Sequence, residues 1–276
     1  MRRFLVSVPC VISLVLLGSS PPLAVYNGTE DTTGHPAVGF VLGTIGADPC
    51  DYEAQAIGCS GVLIGPNVFL STAECTSAVK DSIDSGFIDD GWIILDAEPL
   101  VPGEDEAALD CSKFVHIDSY DINPAYVSSF GTQGDVGVMI LEASQSIAPA
   151  SLPPRNRLRP HPRRRLPDIT AVSFGELADA GAPGGFDIFT LARRFAHAAF
   201  GSVTGQTHVA SLDPIAGMSL PCIGFVARGG PNFVTGSNEV VSLAKYPAGS
   251  CDNPATFQRL DVPSVRSFLS SYVTLP

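Results

Sequence analysis

Three observations predict an all-β fold of many short strands for this chain of 276 residues. Its 27 Gly and 23 Pro are scattered without period, which suits strands joined by turns and not a helical bundle or a collagen-like rod. Apolar residues come in short runs bounded by turn residues, as in Val136-Gly137-Val138-Met139-Ile140-Leu141. The third is Gly58-Cys59-Ser60-Gly61-Val62-Leu63-Ile64, the turn Gly65-Pro66-Asn67, and Phe69-Leu70-Ser71-Thr72-Ala73-Glu74-Cys75. Two apolar runs flank that turn and a cysteine sits at each end, the pattern of a hairpin that can be stapled. At 45% hydrophobic and 16% charged residues, the chain can bury a sizeable core in one or two domains.

The first residues read as a targeting segment. Arg2 and Arg3 precede the apolar run Phe4 to Leu17, followed by small and turn residues to Pro22. The run is short for a membrane span and has signal-peptide flanks, so residues 1–24 are assigned as a signal peptide and the mature protein is expected to be secreted. Removing Arg2 and Arg3 takes the net charge from −12 to −14, a poor match for nucleic acid or an anionic membrane. Cys10 leaves with the signal, and the six remaining cysteines suit disulfides in an oxidising compartment. No Cys-x-x-Cys or His-x-x-x-His spacing points to a metal, and no cofactor is expected.

Taken in order, Val25-Tyr26-Asn27-Gly28-Thr29 contains a glycosylation sequon, and Gly34 to Leu42 reads as a strand. Asp81 to Asp110 carries ten acidic residues and no basic ones; it is expected to be a solvated face or loop, with Trp92-Ile93-Ile94-Leu95 as a strand inside it. Ser144 to Pro167 holds six arginines and six prolines, hostile to helix and sheet, and reads as a solvated linker. Ile169 to Gly175, Arg193 to Phe200 and His208 to Leu212 resume strand character. After Pro263, the residues Val265, Phe268, Leu269 and Tyr272 form one apolar stripe of a short helix.

The hairpin and its cysteines, Gly134-Asp135 before an apolar strand, Gly229-Gly230-Pro231 and the terminal helix together resemble the chymotrypsin/trypsin-like serine protease family. The resemblance implies two antiparallel Greek-key six-stranded β-barrels with a short C-terminal helix and the site in the cleft between them. It divides the chain into an N-terminal barrel at 25–143, an inter-barrel linker at 144–167 and a C-terminal barrel with the helix at 168–276. It also implies the bridges Cys59–Cys75 and Cys222–Cys251, which leaves Cys50–Cys111 as the third pair. The expected state is a monomer.

The same resemblance locates the catalytic positions. Relatives read Thr-Ala-Ala-His-Cys where this chain has Ser71-Thr72-Ala73-Glu74-Cys75, so Glu74 stands at the general base. Asp135 stands at the carboxylate that orients the base. The family's Gly-Asp-Ser-Gly-Gly-Pro aligns on Gly229-Gly230-Pro231, which puts Arg228 at the nucleophile and Ala227 at the preceding Asp. Six residues separate Cys222 from Gly229, two more than in the family pattern, so the loop of Gly224, Ala227, Arg228 and Gly229 that would supply the oxyanion hole is longer. At the substrate pocket, Leu220 replaces the Asp of trypsin-like enzymes, and Lys245-Tyr246-Pro247 replaces a Ser-Trp-Gly strand end. Pro247 has no N–H to pair with an extended substrate.

Serine attacks a carbonyl only when an imidazole tunable near neutral pH takes its proton. A carboxylate is a weak base toward an alcohol, and guanidinium is no nucleophile. Losing one oxyanion donor alone raises the barrier by about 2.7–4 kcal/mol. His35, His116, His161, His197 and His208 stand in no triad-like context and are read as surface or structural residues. Two classes of function follow. One is a non-catalytic protease homologue acting by binding a protein or peptide; the other is an active serine-type endopeptidase with a rebuilt site. Glu74, Asp135 and Arg228 are expected to converge, as a Glu–Arg or Asp–Glu–Arg ion network filling the old site, and probe labelling with a peptide-library digest separates the two classes.

Overall fold

Every residue of Val38–Thr44 is buried, and this continuous apolar run forms a central strand of the first barrel. A computed structural model describes residues 28–46, 55–98, 100–101, 108–127, 133–160, 165–175, 192–213, 228–245 and 254–276. Residues 1–24, expected to be a signal peptide, lie outside them. In chain order the strands are β1 (Thr29–Glu30), β2 (Val38–Thr44), β3 (Gln55–Gly65), β4 (Val68–Ser71), β5 (Asp90–Ile94), β6 (Leu100–Val101), β7 (Ala108–Leu109), β8 (Phe114–Ile122) and β9 (Gly137–Leu141). Then come β10 (Ile169–Gly175), β11 (Ala192–Val203), β12 (Thr207–Leu212), β13 (Pro231–Val234), β14 (Val240–Ala244) and β15 (Ala255–Arg259). Helix α1 (Ala73–Asp84) follows β4, and helix α2 (Pro263–Leu269) follows β15.

The strands close into two antiparallel six-stranded barrels. The first runs β2-β3-β4-β9-β8-β5 and returns to β2. The second runs β11-β10-β13-β14-β15-β12 and is closed by the β11–β12 pairing, with β1 added outside β11. Closure leaves neither sheet with a long free edge. A small pair, β6–β7, stands apart.

The hairpin forms where the sequence puts it: Val62 faces Leu70 and Leu63 faces Phe69 across the Pro66–Asn67 turn. Gly61 is fixed by packing, since a Cβ there would lie 2.3 Å from the Phe69 ring and 2.5 Å from Leu70 O. The disulfide Cys59–Cys75 joins β3 to the first turn of α1. That helix was not legible as such. Thr72 caps it, its hydroxyl accepting from Cys75 N at 3.3 Å, and the helix then carries Asp81 and Asp84. Part of the acidic stretch is therefore a helix with Ala73, Cys75, Thr76 and Val79 buried, and its outer face pairs Lys80 with Asp84.

One apolar core joins the barrels, holding Phe40, Phe69 and Met139 together with Phe174, Phe233 and Leu243, and a second fills the other barrel around Ala171, Ala210 and Phe257. Helix α2 sits on the first of these through Val265 and Leu269, and Phe268 meets Tyr272, just past the helix end, edge to face. Buried Arg193 on β11 reaches across to Asp31 O at 3.2 Å, Val38 O at 3.2 Å and Leu95 O at 3.3 Å.

The arginine- and proline-rich stretch departs from the solvated linker expected of it. Ala150 N donates to Leu63 O and Ser151 N to Asn238 O, at 2.8 and 2.9 Å. Leu158 is fully buried, and its N–H donates to Asp261 Oδ2 at 2.7 Å. Arg157 Nε meets Glu239 Oε1 at 2.6 Å. Apolar side chains spaced through the charged run dock it onto both barrels as far as Leu158.

Candidate functional site

Three elements converge at the start of α1. Asp135, just before β9, is 2% exposed, and its Oδ1 accepts from Glu74 N at 3.1 Å. Ala73 N donates to the same carboxylate. The first N–H groups of a helix lack internal partners, so a carboxylate placed there satisfies them. Asp135 N in turn donates to Gln258 Oε1 at 3.1 Å, tying the site to β15 of the second barrel.

Glu74 turns its side chain the other way. Its Oε1 accepts from Arg228 Nη1 at 3.1 Å, with the Arg228 side chain 11% and the Glu74 side chain 34% exposed. Arg228 is held by its own backbone: its C=O accepts from Ser60 N at 2.7 Å. The next residue, Gly229, has φ +79°, and a Cβ there would lie 2.1 Å from Ser71 Oγ and 2.2 Å from Ser60 O. Only glycine fits both the backbone region and the space. Gly229 N donates to Ala244 O, and Ala244 N to Gly230 O, so β14 fixes the loop from the far side.

Lys245 follows β14 and is 6% exposed. Burial lowers its ammonium below the usual lysine value, and the charges of Asp135 and Glu74 work against that drop. Asp135 is pushed the other way: burial raises it, opposed by the Glu74 and Ala73 N–H groups and by Lys245, with Glu74's charge adding to the rise. Tyr126, pushed up to about 12 by burial and by the charges of Asp135 and Glu74, also faces this group. Two carboxylates and two cations thus share one cleft-side cluster.

Of the sequence-assigned positions, the structure brings Glu74, Asp135, Arg228, Gly229 and Lys245 into this region. Lys245 carries a role that alignment on the pocket strand did not show, as a counter-charge to Asp135 and Glu74. Tyr126 had no signal in the sequence. Leu220, Gly224, Ala227, Tyr246, Pro247, Cys50, Cys222 and Cys251 lie outside the described residues. Cys111 is disulfide-bonded.

The nearby serines hold structure. Ser71 Oγ donates to Ser60 O at 2.7 Å, and Ser60 Oγ accepts from Phe174 N at 2.9 Å, both side chains fully buried. The described histidines are partnered elsewhere. His35 bonds Asp31 at 2.6 Å, His116 bonds Asp90 at 3.1 Å, and His197 meets Thr170 at 3.1 Å. His208 meets Ser242 at 2.7 Å between the rings of Phe200 and Phe257. Among the described residues no group of three or more His, Cys, Asp or Glu is placed to hold a metal ion, and no helix is long and apolar enough to cross a membrane.

No family model and no curated protein sequence matches the chain. Solved structures do. Scabies mite inactivated protease paralogue S-D1 is similar at TM-score 0.60 and 14% identity, covering 90% of this chain and 99% of its own. The scabies mite inactivated protease paralogue S-I1 gives TM-score 0.56 at 14% identity, over 88% of this chain and 97% of its own. HL collagenase gives TM-score 0.54 at 19% identity, over 89% of this chain and 95% of its own. With the closure of both barrels, these likenesses establish that the chain has the trypsin-like double β-barrel fold.

Proposed function

We propose that this chain is a secreted, non-catalytic homologue of the trypsin-like serine proteases that acts by binding a protein or peptide. The observation that carries the reading is the Arg228–Glu74 ion pair, which stands at the positions assigned to nucleophile and general base. A guanidinium bound to a carboxylate neither attacks a carbonyl nor shuttles a proton at neutral pH. Asp135, assigned to the orienting carboxylate, meets backbone N–H groups of Ala73 and Glu74, and no imidazole among the described residues partners it. Two of the similar structures are themselves named as inactivated protease paralogues, which supports the reading by analogy.

In this reading the barrels comprise 25–143 and 168–276, joined by 144–167, after loss of the signal peptide 1–24. The ligand engages the cleft or the loops around it. The restoring experiment is Glu74→His with Arg228→Ser and removal of two residues from the 223–228 loop. Wild type is expected to leave a broad peptide library uncut. Reproducible cleavage by wild type would overturn the proposal. Peptides selected from a displayed library are expected to protect cleft backbone in hydrogen exchange; protection confined to the opposite face would refute cleft binding.

A further inference from the structure

Charge is divided sharply along this chain. Residues 25–143 hold 20 Asp and Glu against the two lysines Lys80 and Lys113, a net of −18. Residues 144–276 hold 8 Asp and Glu against 12 Lys and Arg, a net of +4. Both lysines of the first stretch are engaged: Lys80 pairs with Asp84, and Lys113 lies 3.8 Å from Asp96. The first barrel therefore carries a strongly negative field.

Within that field stands an apolar patch. Among the described residues the exposed large apolar side chains are Ile45, Phe87 and Val127, and the first two share one rim of the barrel. Phe87 is 59% exposed and Ile45 is 45% exposed. Asp89 ties their segments together: its N–H donates to Thr44 O at 2.8 Å and its Oδ2 accepts from Gly46 N at 2.5 Å, on either side of Ile45. Phe87 N donates to Ser82 O at 2.9 Å and Ile88 N to the same oxygen at 3.2 Å, which folds this segment back onto the end of α1. Ile88, 1% exposed, anchors it in the core and leaves Phe87 outside. Asp81 and Asp89 are exposed beside the patch, and Asp84 is matched by Lys80. The rim is separate from the cleft, since Asp84 at the far end of α1 stands about 15 Å from Glu74.

Single exposed apolar residues are ordinary on a protein surface. A phenylalanine and an isoleucine held by backbone hydrogen bonds on adjoining segments are instead a preorganised anchor, because little freedom is left to lose on binding. The surrounding charge selects what reaches it. Nucleic acid, an anionic lipid surface and a second copy of the chain at net −14 are all repelled. We propose that the Phe87–Ile45 rim docks a cationic polypeptide segment that offers an apolar side chain between its Lys or Arg residues. The apolar side chain packs on Phe87 and Ile45, and the cationic groups face Asp81 and Asp89.

The test is fluorescence anisotropy of the purified protein with two labelled peptides of equal length and charge, one alternating Lys and Leu, the other alternating Lys and Ser. Wild type is expected to bind the Lys–Leu peptide about tenfold or more tighter than the Lys–Ser peptide, and to lose most of that binding as salt rises from about 50 to about 300 mM. Equal binding of the two peptides overturns the proposal, and this arm needs no variant. Phe87→Ser with Ile45→Ser, both at exposed positions, is expected to weaken Lys–Leu binding about tenfold or more and to leave Lys–Ser binding unchanged. Lys–Leu binding that survives the double substitution overturns it. So does a wild-type dimer in light scattering that the double substitution abolishes, since the occupant is then a second copy.

Discussion

Arg228 and Glu74 meet in a partly buried setting, and that setting bounds what their ion pair contributes. A pair with one partner 34% exposed is partly screened, so a double-mutant cycle of Arg228→Ala and Glu74→Ala is expected to give a coupling of about 0.5–1 kcal/mol in urea denaturation. Burial of Asp135 makes a pH dependence of stability the expected outcome. Its folded value is raised above the ordinary 3.8, so its contribution is fully present below 3.8 and is lost as pH rises through the folded value. Wild-type stability is therefore expected to fall relative to Asp135→Asn as pH climbs out of that acid range, as read by urea midpoints. His208 runs the other way: burial lowers it from 6.5 to about 3, so its contribution is present above 6.5 and lost as pH falls toward 3. The slope is up to about 1.4 kcal/mol per pH unit. A His208→Phe variant keeps the ring stack with Phe200 and Phe257 and is expected to lose less stability between about pH 7 and about pH 4.5 than wild type does, as read by urea midpoints.

At the scale of elements, the loop at Arg228 and Gly229 is held from both sides by backbone hydrogen bonds, to Ser60 on β3 and to Ala244 on β14. Gly229→Ala puts a methyl into Ser71 and Ser60 at a positive φ, and is expected to destabilise by about 3 kcal/mol or more in thermal or urea unfolding. The hairpin and helix α2 were legible because period and turn chemistry alone specify them. Helix α1 was not: Thr72-Ala73-Glu74-Cys75 was read as the end of a hairpin, and the cap formed by Thr72 becomes evident only once Cys75 N is seen to point at its hydroxyl. Docking of Ala150 to Leu158 was hidden for a related reason. Arginine and proline dominate that stretch, whereas the groups that hold it, Asp261 and Glu239, are distant in sequence.

At the scale of the molecule, both barrels are closed, and one apolar core runs between them and under α2. Alternating short apolar runs made the all-β class readable, and the positions of Glu74, Asp135 and Arg228 could be named from motif alone. That Lys245 would lend its charge to the same cluster depends on the fold bringing the residue after β14 near the carboxylate before β9, which no local pattern encodes. On the proposed reading, the cluster takes the place of the groups that hydrolysis needs while the double-barrel framework stays intact. The most direct test is labelling of the purified wild-type protein with a fluorophosphonate probe, which reacts only with an activated serine. No labelling beyond that of the heat-denatured control is expected. Labelling that is stoichiometric and abolished by denaturation would contradict the claim that this trypsin-like fold carries no working nucleophile.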